Sequence, residues 1–258
     1  MLKFAANVSL LFTETELSLR FKAAKQHGFN AVEIQFPYSL SPEQLRDLLQ
    51  EAELELVLFN VAADDLLQGG EGLACVPEKQ QHFEQALAQT VDYASVLKPT
   101  AINILPGRCF NAHRLPEYLA TFKENLLFAT NTFAALGIRT VFEAINTHDM
   151  PGFIIANGKQ MLDIIEQINH PDLFMQYDIY HAAMMGDIPD VFIKQHADKI
   201  GHIQFADCPG RGQPYTGKLD FIKLFTAIEH SAYTGWLGAE YKPQGTTAES
   251  LTWLKKFS

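Results

Sequence analysis

Eight short runs of strand-forming residues recur along this 258-residue chain, and their number and spacing constrain the fold more than any other feature. Between them lie segments with helical periodicity, such as the stretch from Pro116 to Leu136 that ends at Gly137. Eight alternations of strand and helix predict a single α/β domain over residues 1–258, closed as a (β/α)8 barrel. The predicted strands cover residues 4–10, 31–36, 55–60, 101–105, 139–145, 173–179, 200–206 and 235–241.

The competing architecture is an open, doubly wound sheet. Such sheets typically carry a glycine-rich turn after the first strand, but NVSLLFTETE at residues 7–16 contains no glycine. Several predicted helices also end in a glycine that directly precedes a strand, as Gly28 and Gly137 do. Residues 62–77 form a long predicted loop after the third strand, and such loops in barrels often cover the active site.

Four predicted strands in the second half of the chain carry a polar residue near their downstream end: Glu143, Asp178, Gln204 and Glu240. Each one alone is as well explained by a helix cap or a surface ion pair. Together, on consecutive strands, they predict a shared site, because buried carboxylates are costly unless a positive charge meets them. Three carboxylates and one amide favour a hard divalent metal, Mg²⁺ or Mn²⁺.

Four residues beside these strand ends are candidates for binding a substrate. His181 follows Asp178 closely and is able to donate to a bound oxygen, although an ordinary hydrogen-bonded histidine fits as well. Arg211, in the Gly- and Pro-rich loop 207–217, is suited to a planar anion unless the loop is a plain surface turn. Lys242 shares a predicted face with Glu240 but equally suits a strand-end salt bridge, and His148 follows Glu143. His202 is predicted to lie one layer deeper in the barrel and to support the site rather than to bind the metal.

The composition limits the classes of molecule that the protein is expected to bind. A net charge of −10 without a basic cluster argues against nucleic acid and anionic membranes, so a small anionic substrate needs a locally positive pocket. The widely spaced Cys75, Cys109 and Cys208 indicate neither a disulfide framework nor a zinc knuckle. The N-terminal residues do not resemble a secretory signal, and a cytoplasmic protein is expected. Barrel exteriors commonly form oligomers, so a homo-oligomer is compatible with the sequence, whose helices indicate no symmetry.

A family resemblance adds to this interpretation. The chain contains FAANVSLLF, then FPY, EAIN with DMPGF, QYDIYH, ADKIGHIQFAD with PGRG, and AEYKP. In order and over the whole chain, these segments resemble the hydroxypyruvate isomerase family, which includes the 2-oxo-tetronate isomerases. That family belongs to the xylose-isomerase-like TIM barrel superfamily, as do the ketose 3-epimerases.

The resemblance implies a specific reaction and specific roles. The reaction is the interconversion of hydroxypyruvate and tartronate semialdehyde through an enediolate. Glu143, Asp178, Gln204 and Glu240 are the implied metal ligands, with Glu143 and Glu240 as the acid/base pair. His181 and Arg211 are implied to lie near the substrate, a small hydroxy-oxo-acid.

Other substrates and activities are compatible with the same sequence. The loop reads GRGQPYTGKLDF where relatives read close to GRGEPGTGEINY, so a 2-oxo-tetronate or a free ketose stays an open alternative. Related barrels include abasic-site endonucleases, which use more histidine ligands and a basic groove. A non-catalytic sugar-acid binding protein is a further alternative.

Overall fold

The structure, a computed structural model that describes residues 2–257, contains a closed barrel of eight parallel strands. The strands are β1 (Lys3–Asn7), β2 (Ala31–Ile34), β3 (Glu55–Asn60), β4 (Ala101–Ile104), β5 (Arg139–Glu143), β6 (Leu173–Asp178), β7 (Ile200–Phe205) and β8 (Trp236–Ala239). Each strand pairs with the next one in the chain, and β8 pairs with β1. The predicted barrel is therefore confirmed. Most predicted runs extend past the downstream ends of the strands, where the chain leaves the sheet to form loops.

Helices connect the strands and pack around the barrel. They are α1 (Leu17–Gln26), α2 (Pro42–Glu51), α3 (Gln80–Leu97), α4 (Leu115–Ala134), α5 (Gly158–Ile168), α6 (Ile179–Met184), α7 (Pro189–His196), α8 (Phe221–Glu229) and α9 (Thr247–Ser250). Within residues 2–257, none of these helices combines the length and the apolar composition that crossing a bilayer requires.

The start of α2 shows how local sequence sets a helix boundary. The Ser41 side chain accepts the backbone N–H of Gln44, and the Gln44 side chain accepts the backbone N–H of Ser41. Pro42 occupies the first helical turn, where no backbone donor is needed. Leu45 and Leu49, four residues apart, are the buried face that packs against the barrel.

The interior of the barrel is apolar at one end and polar at the other. Small and branched residues lie towards the end where the strands begin: Ala5, Ala31, Val57, Ala101 and Val141, with Phe174 and Trp236 packed on them. Side chains alternate along a strand, so residues two positions further on share the inward face. Several of these are polar and buried: Asn7, Glu33, Asn103, Glu143 and Gln176. This polar layer leads to the downstream strand ends.

The loop after β3 reaches over the polar end of the barrel, as predicted for residues 62–77. Its backbone is held by Asp65, whose Oδ1 accepts the Gly72 N–H at 2.9 Å, and by a 2.7 Å ion pair between Lys79 and Asp64. Leu67, at the tip, is 55% exposed and also lines the cavity at the strand ends. The loop therefore supplies an apolar cover to that cavity.

Candidate active site

Glu143, Asp178 and His181 bring metal-ligating atoms within 4.8 Å of one another, and all three side chains are buried. Glu143 ends β5, Asp178 ends β6 and His181 lies in the first turn of α6. Asp178 Oδ1 caps this helix by accepting the backbone N–H groups of Tyr180 at 2.7 Å and His181 at 3.3 Å. Asp178 Oδ2 is buried and has no hydrogen-bond partner among the described residues.

Arg211 connects Glu240 to this cluster. Its Nη2 contacts Glu240 Oε2 and lies 3.6 Å from Asp178 Oδ2. The Arg211 backbone has a positive φ of 56°, and its carbonyl accepts the Lys242 N–H at 2.7 Å. Tyr180 lies beneath the guanidinium, 5.4 Å from ring centroid to Cζ. Loop 207–217 thus directs its arginine into the site.

Gln204 lies beside Asp178 on the neighbouring strand, because the two residues are register partners between β6 and β7. Its Oε1 accepts from Gln176 Nε2 at 2.6 Å, and the same nitrogen donates to Glu143 Oε2 at 2.9 Å. The structure therefore brings the four predicted ligand residues, together with His181 and Arg211, around one point at the barrel mouth.

His148 and Lys242 are not brought to this point. Asn146 Oδ1 accepts the N–H groups of His148 and Asp149, and this turn places Asp149 at the cavity while His148 is exposed. Lys242 is exposed because the strand alternation behind its prediction stops with β8, at Ala239. Its backbone supports Arg211 instead. The predicted substrate contacts of both side chains stay predictions that this geometry does not support.

The polar residues surround a cavity of about 140 Å³. This is smaller than the roughly 300–1,000 Å³ of sites that bind drug-sized ligands. One wall is polar and the other is apolar, formed by Phe36, Leu58, Leu67, Leu105, Ile145 and Met150. Among residues 2–257, Arg211 is the only Lys or Arg that lines it. The cavity suits a small molecule with one anionic end.

Comparison with protein families agrees with this barrel. A sequence model described as xylose isomerase-like TIM barrel matches residues 21–257. The chain belongs to this family.

Within the xylose isomerase-like family, the chain is similar to named isomerases over its whole length. It is 40% identical over 258 residues to a hydroxypyruvate isomerase of Escherichia coli, with all of both chains covered. It is 36% identical over 258 residues to a 2-oxo-tetronate isomerase of Cupriavidus necator, covering 100% of this chain and 99% of the relative. The chain is an isomerase of this group. A solved structure titled as an AP endonuclease, family 2, from Brucella melitensis is 31% identical, covers 100% of this chain and 99% of its own, and superposes with a TM-score of 0.96.

The structure adds several polar residues that sequence reasoning missed. Asn7, Glu33 and Gln35 come from the first two strands and their loops, while Asn103 and Gln176 come from β4 and β6. A signal existed for Glu33, because it is a charged residue within an otherwise apolar strand run. Gln176 was detectable as the residue two positions before Asp178, on the same face. His202, predicted to support the site from below, contacts Glu33 at 2.5 Å between Nε2 and Oε2.

Burial shifts the proton affinities in this isomerase site. It raises the pKa of Glu143 well above its ordinary value, and the neighbouring Glu240 and Asp178 raise it further. Burial also raises the pKa of Glu240 to about 7, although Arg211 opposes the shift. The pKa of His181 is lowered by burial to about 4, so its imidazole is neutral at pH 7. Both carboxyl groups thus bind protons more tightly than an ordinary glutamate does.

The donor set fits a divalent cation. The three carboxyl groups and the Gln204 amide offer oxygen ligands, which Mg²⁺ and Mn²⁺ prefer. The buried Asp178 Oδ2, without a partner among residues 2–257, is an acceptor that a cation would satisfy. Burial raises the pKa of Glu143 and of Glu240, and a cation beside them would oppose this shift by favouring the charged carboxylates.

Proposed function

We propose that this isomerase interconverts hydroxypyruvate and tartronate semialdehyde by proton transfer between Glu143 and Glu240, with a divalent metal. The observation that carries the proposal is that both glutamates line one small cavity, both have raised pKa values, and Arg211 lies beside them. A carboxyl group with a pKa near 7 is suited to both taking and giving a proton at neutral pH.

The reaction moves a carbonyl between adjacent carbons of a three-carbon acid. One glutamate removes a proton from the hydroxyl-bearing carbon C3, and the electrons of that C–H bond form an enediolate. The other glutamate delivers a proton to C2, while the C3 hydroxyl gives up its proton and becomes the carbonyl. That hydroxyl proton is transferred to the C2 oxygen, which becomes the new hydroxyl. In the reverse direction the roles of Glu143 and Glu240 exchange. No atoms or electrons are gained or lost.

Glu143, Asp178, Gln204 and Glu240 would hold Mg²⁺ or Mn²⁺, which when bound supplies electrostatic stabilisation of negative charge that develops on the substrate oxygens. His181 is neutral at pH 7 and faces the same acidic cluster, where its ring N–H is available to a substrate oxygen. These residues pre-organise the site before the substrate enters.

Arg211 receives the substrate carboxylate in this proposal. Its Nε is buried and has no partner among the described residues, so one donor of the guanidinium is available to an anion. The overall charge of −10 makes a local cation necessary for binding an acid. The small cavity and its apolar wall favour a three-carbon acid over a ketohexose, whose additional hydroxyls would face Leu105 and Ile145 without hydrogen-bond partners.

A panel of substrates tests the proposal. The protein is loaded with Mn²⁺ and incubated in D₂O with hydroxypyruvate, a 2-oxo-tetronate or a ketohexose, and deuterium incorporation is measured by NMR. Exchange and isomerisation of hydroxypyruvate at the highest kcat/KM support the proposal. Faster turnover of a 2-oxo-tetronate supports the alternative isomerase, and epimerisation of the ketose supports an epimerase. Binding without any exchange indicates a non-catalytic binding protein.

The same panel should include a duplex containing an abasic site, because the Brucella melitensis structure carries an endonuclease title. We expect no cleavage. A cavity of about 140 Å³ does not admit a nucleotide, and His181 is the only histidine among residues 2–257 that lines it. Strand cleavage by the wild type, lost in Glu240→Gln, would contradict the proposal.

A further inference from the structure

Glu33 is a fully buried carboxylate in the centre of the barrel that neither the mechanism nor the predicted ligand set uses. Both of its oxygens accept hydrogen bonds from side chains. Oε1 accepts from Asn7 Nδ2 at 2.9 Å and from Gln204 Nε2 at 2.7 Å, and Oε2 lies 2.5 Å from His202 Nε2. Three polar groups, one on β1 and two on β7, thus converge on one carboxylate.

Strand β8, which is separated from β2 by β1 alone, leaves space for this carboxylate. Gly238 lies on β8, and a Cβ atom there would come within 2.2 Å of Glu33 Oε2 and within 2.6 Å of its carboxyl carbon. The φ angle of Gly238 is not in the left-handed region, so the backbone conformation does not require glycine. The space itself requires it. A glycine at position 238 is therefore what leaves room for the glutamate side chain at position 33.

Glu33 determines which atom of the Gln204 amide faces the acidic cluster. Because Gln204 Nε2 donates to Glu33, its Oε1 is directed to the other side, towards Gln176 and Glu143. A metal binds an amide through oxygen and not through nitrogen. With the amide reversed, an N–H group would face the cation.

Glu33 also reaches Glu240 through a single side chain. Asn7 Nδ2 donates to Glu33 Oε1 and to Glu240 Oε1, the latter at 3.0 Å. Gln35 Nε2 donates to the same Glu240 oxygen at 2.8 Å. Glu240 Oε1 is thereby held on the barrel side, while Oε2 faces Arg211.

We propose that Glu33 is a positioning residue that orients Gln204 and Glu240 for metal binding from beneath the site. This inference rests on the proposed function, because it assumes that these two residues bind a divalent cation. Residues that orient metal ligands in this way typically change metal affinity by about 10- to 100-fold when they are replaced. Glu33 touches neither the reacting atoms nor the cation site itself.

The test is Mn²⁺ binding to the metal-free protein, measured by the loss of the free-ion EPR signal without any substrate. In Glu33→Gln the new side chain has an NH₂ group in place of one carboxylate oxygen. This NH₂ group faces one or more of the donors that Glu33 now accepts from, so the Gln204 amide is no longer held in one orientation. We expect the Mn²⁺ Kd to rise by about 10- to 100-fold. The matched control is Asp190→Asn, which removes a buried carboxylate on α7 that pairs with Lys223 far from the barrel interior. Its Mn²⁺ Kd should equal that of the wild type.

A second variant changes no polar group. Gly238→Ala displaces the Glu33 carboxylate by steric contact, and it should raise the Kd in the same direction as Glu33→Gln. If both variants fold and bind Mn²⁺ as tightly as the wild type, the inference is wrong. If neither folds, Glu33 serves the stability of the barrel instead, which also overturns it. Failure of the wild type to bind Mn²⁺ would instead overturn the metal part of the proposed function.

Discussion

Asn146 donates its side-chain Nδ2–H to His181 Nδ1 over 2.7 Å, and this hydrogen bond determines which histidine nitrogen carries a proton. The orientation of the amide is set by its oxygen, which accepts the backbone N–H of His148 at 3.1 Å and of Asp149 at 2.8 Å. Nδ1 is therefore the acceptor and Nε2 carries the hydrogen. Nε2 lies 3.7 Å from Asp178 Oδ2 and 3.9 Å from Glu143 Oε1. His181 Nε2 thus carries a hydrogen-bond donor beside the acidic cluster.

The first prediction concerns this tautomer. In Asn146→Asp the new carboxylate accepts a hydrogen bond from Nδ1–H, so Nε2 loses its proton and the donor to the substrate is lost. We expect kcat to fall by about 10²-fold, the typical effect of removing one donor to a developing oxyanion, with a smaller change in KM. Steady-state kinetics with hydroxypyruvate measure both. The control is Asn131→Asp on the exposed surface of α4, and equal kcat in the two variants would contradict the assignment.

The second prediction concerns the two glutamates. Glu143→Gln and Glu240→Gln each keep the shape of the site but remove a group able to transfer a proton. Each should lower kcat by about 10²- to 10⁴-fold, the usual contribution of general acid/base catalysis. Isomerisation and solvent deuterium exchange should be lost together. The control Glu55→Gln changes an exposed carboxylate at the opposite end of the barrel. Near-normal turnover in either site variant would show that the acid/base pair is wrongly assigned.

The third prediction concerns pH and metal binding. The pKa of Glu240 is raised to about 7 and that of Glu143 is raised well above its ordinary value, so both carboxyl groups bind protons more tightly than an ordinary glutamate does. Metal ligands must be deprotonated, so the affinity for Mn²⁺ should fall as the pH drops below about 7 and binding should release protons. Calorimetric titration with Mn²⁺ in buffers of different ionisation enthalpy measures the number of protons that are released.

The variant Glu240→Gln separates this effect from general changes with pH. It has no carboxyl to deprotonate at position 240, so the part of the pH dependence near 7 should shrink. Proton release by the variant that equals the wild-type value would assign the titration to another group.

The fourth prediction concerns the anion pocket. Arg211→Lys keeps the positive charge but removes the planar guanidinium and its Nε donor. We expect the KM for hydroxypyruvate to rise by about tenfold or more, the worth of one hydrogen bond to a charged group. Dihydroxyacetone, which has no carboxylate, serves as the matched ligand, and its inhibition constant should change little. An equal loss for both ligands would indicate that Arg211 acts on Glu240 rather than on the substrate carboxylate.

Much of the site was predictable because parallel strands all end at one side of a barrel. Short apolar runs predicted the eight strands, and Glu143, Asp178, Gln204 and Glu240 lie at or just beyond the downstream ends of four of them. Loop residues were less predictable, because a turn decides their direction. The Asn146 turn brings Asp149 to the cavity and leaves His148 in solvent, which spacing along the chain did not indicate.

The sequence by itself determined the barrel and which polar side chains lie at its strand ends, since both follow from short apolar runs that each end near a polar residue. Only the tertiary structure decided which polar side chains meet in the barrel interior beneath those strand ends. Asn7 and Glu240 are 233 residues apart, yet they share a 3.0 Å hydrogen bond because β1 closes on β8. Glu33 likewise contacts Gln204, and fits into the space beside Gly238, only because the barrel is closed in this register. No local sequence pattern specifies which strands become neighbours.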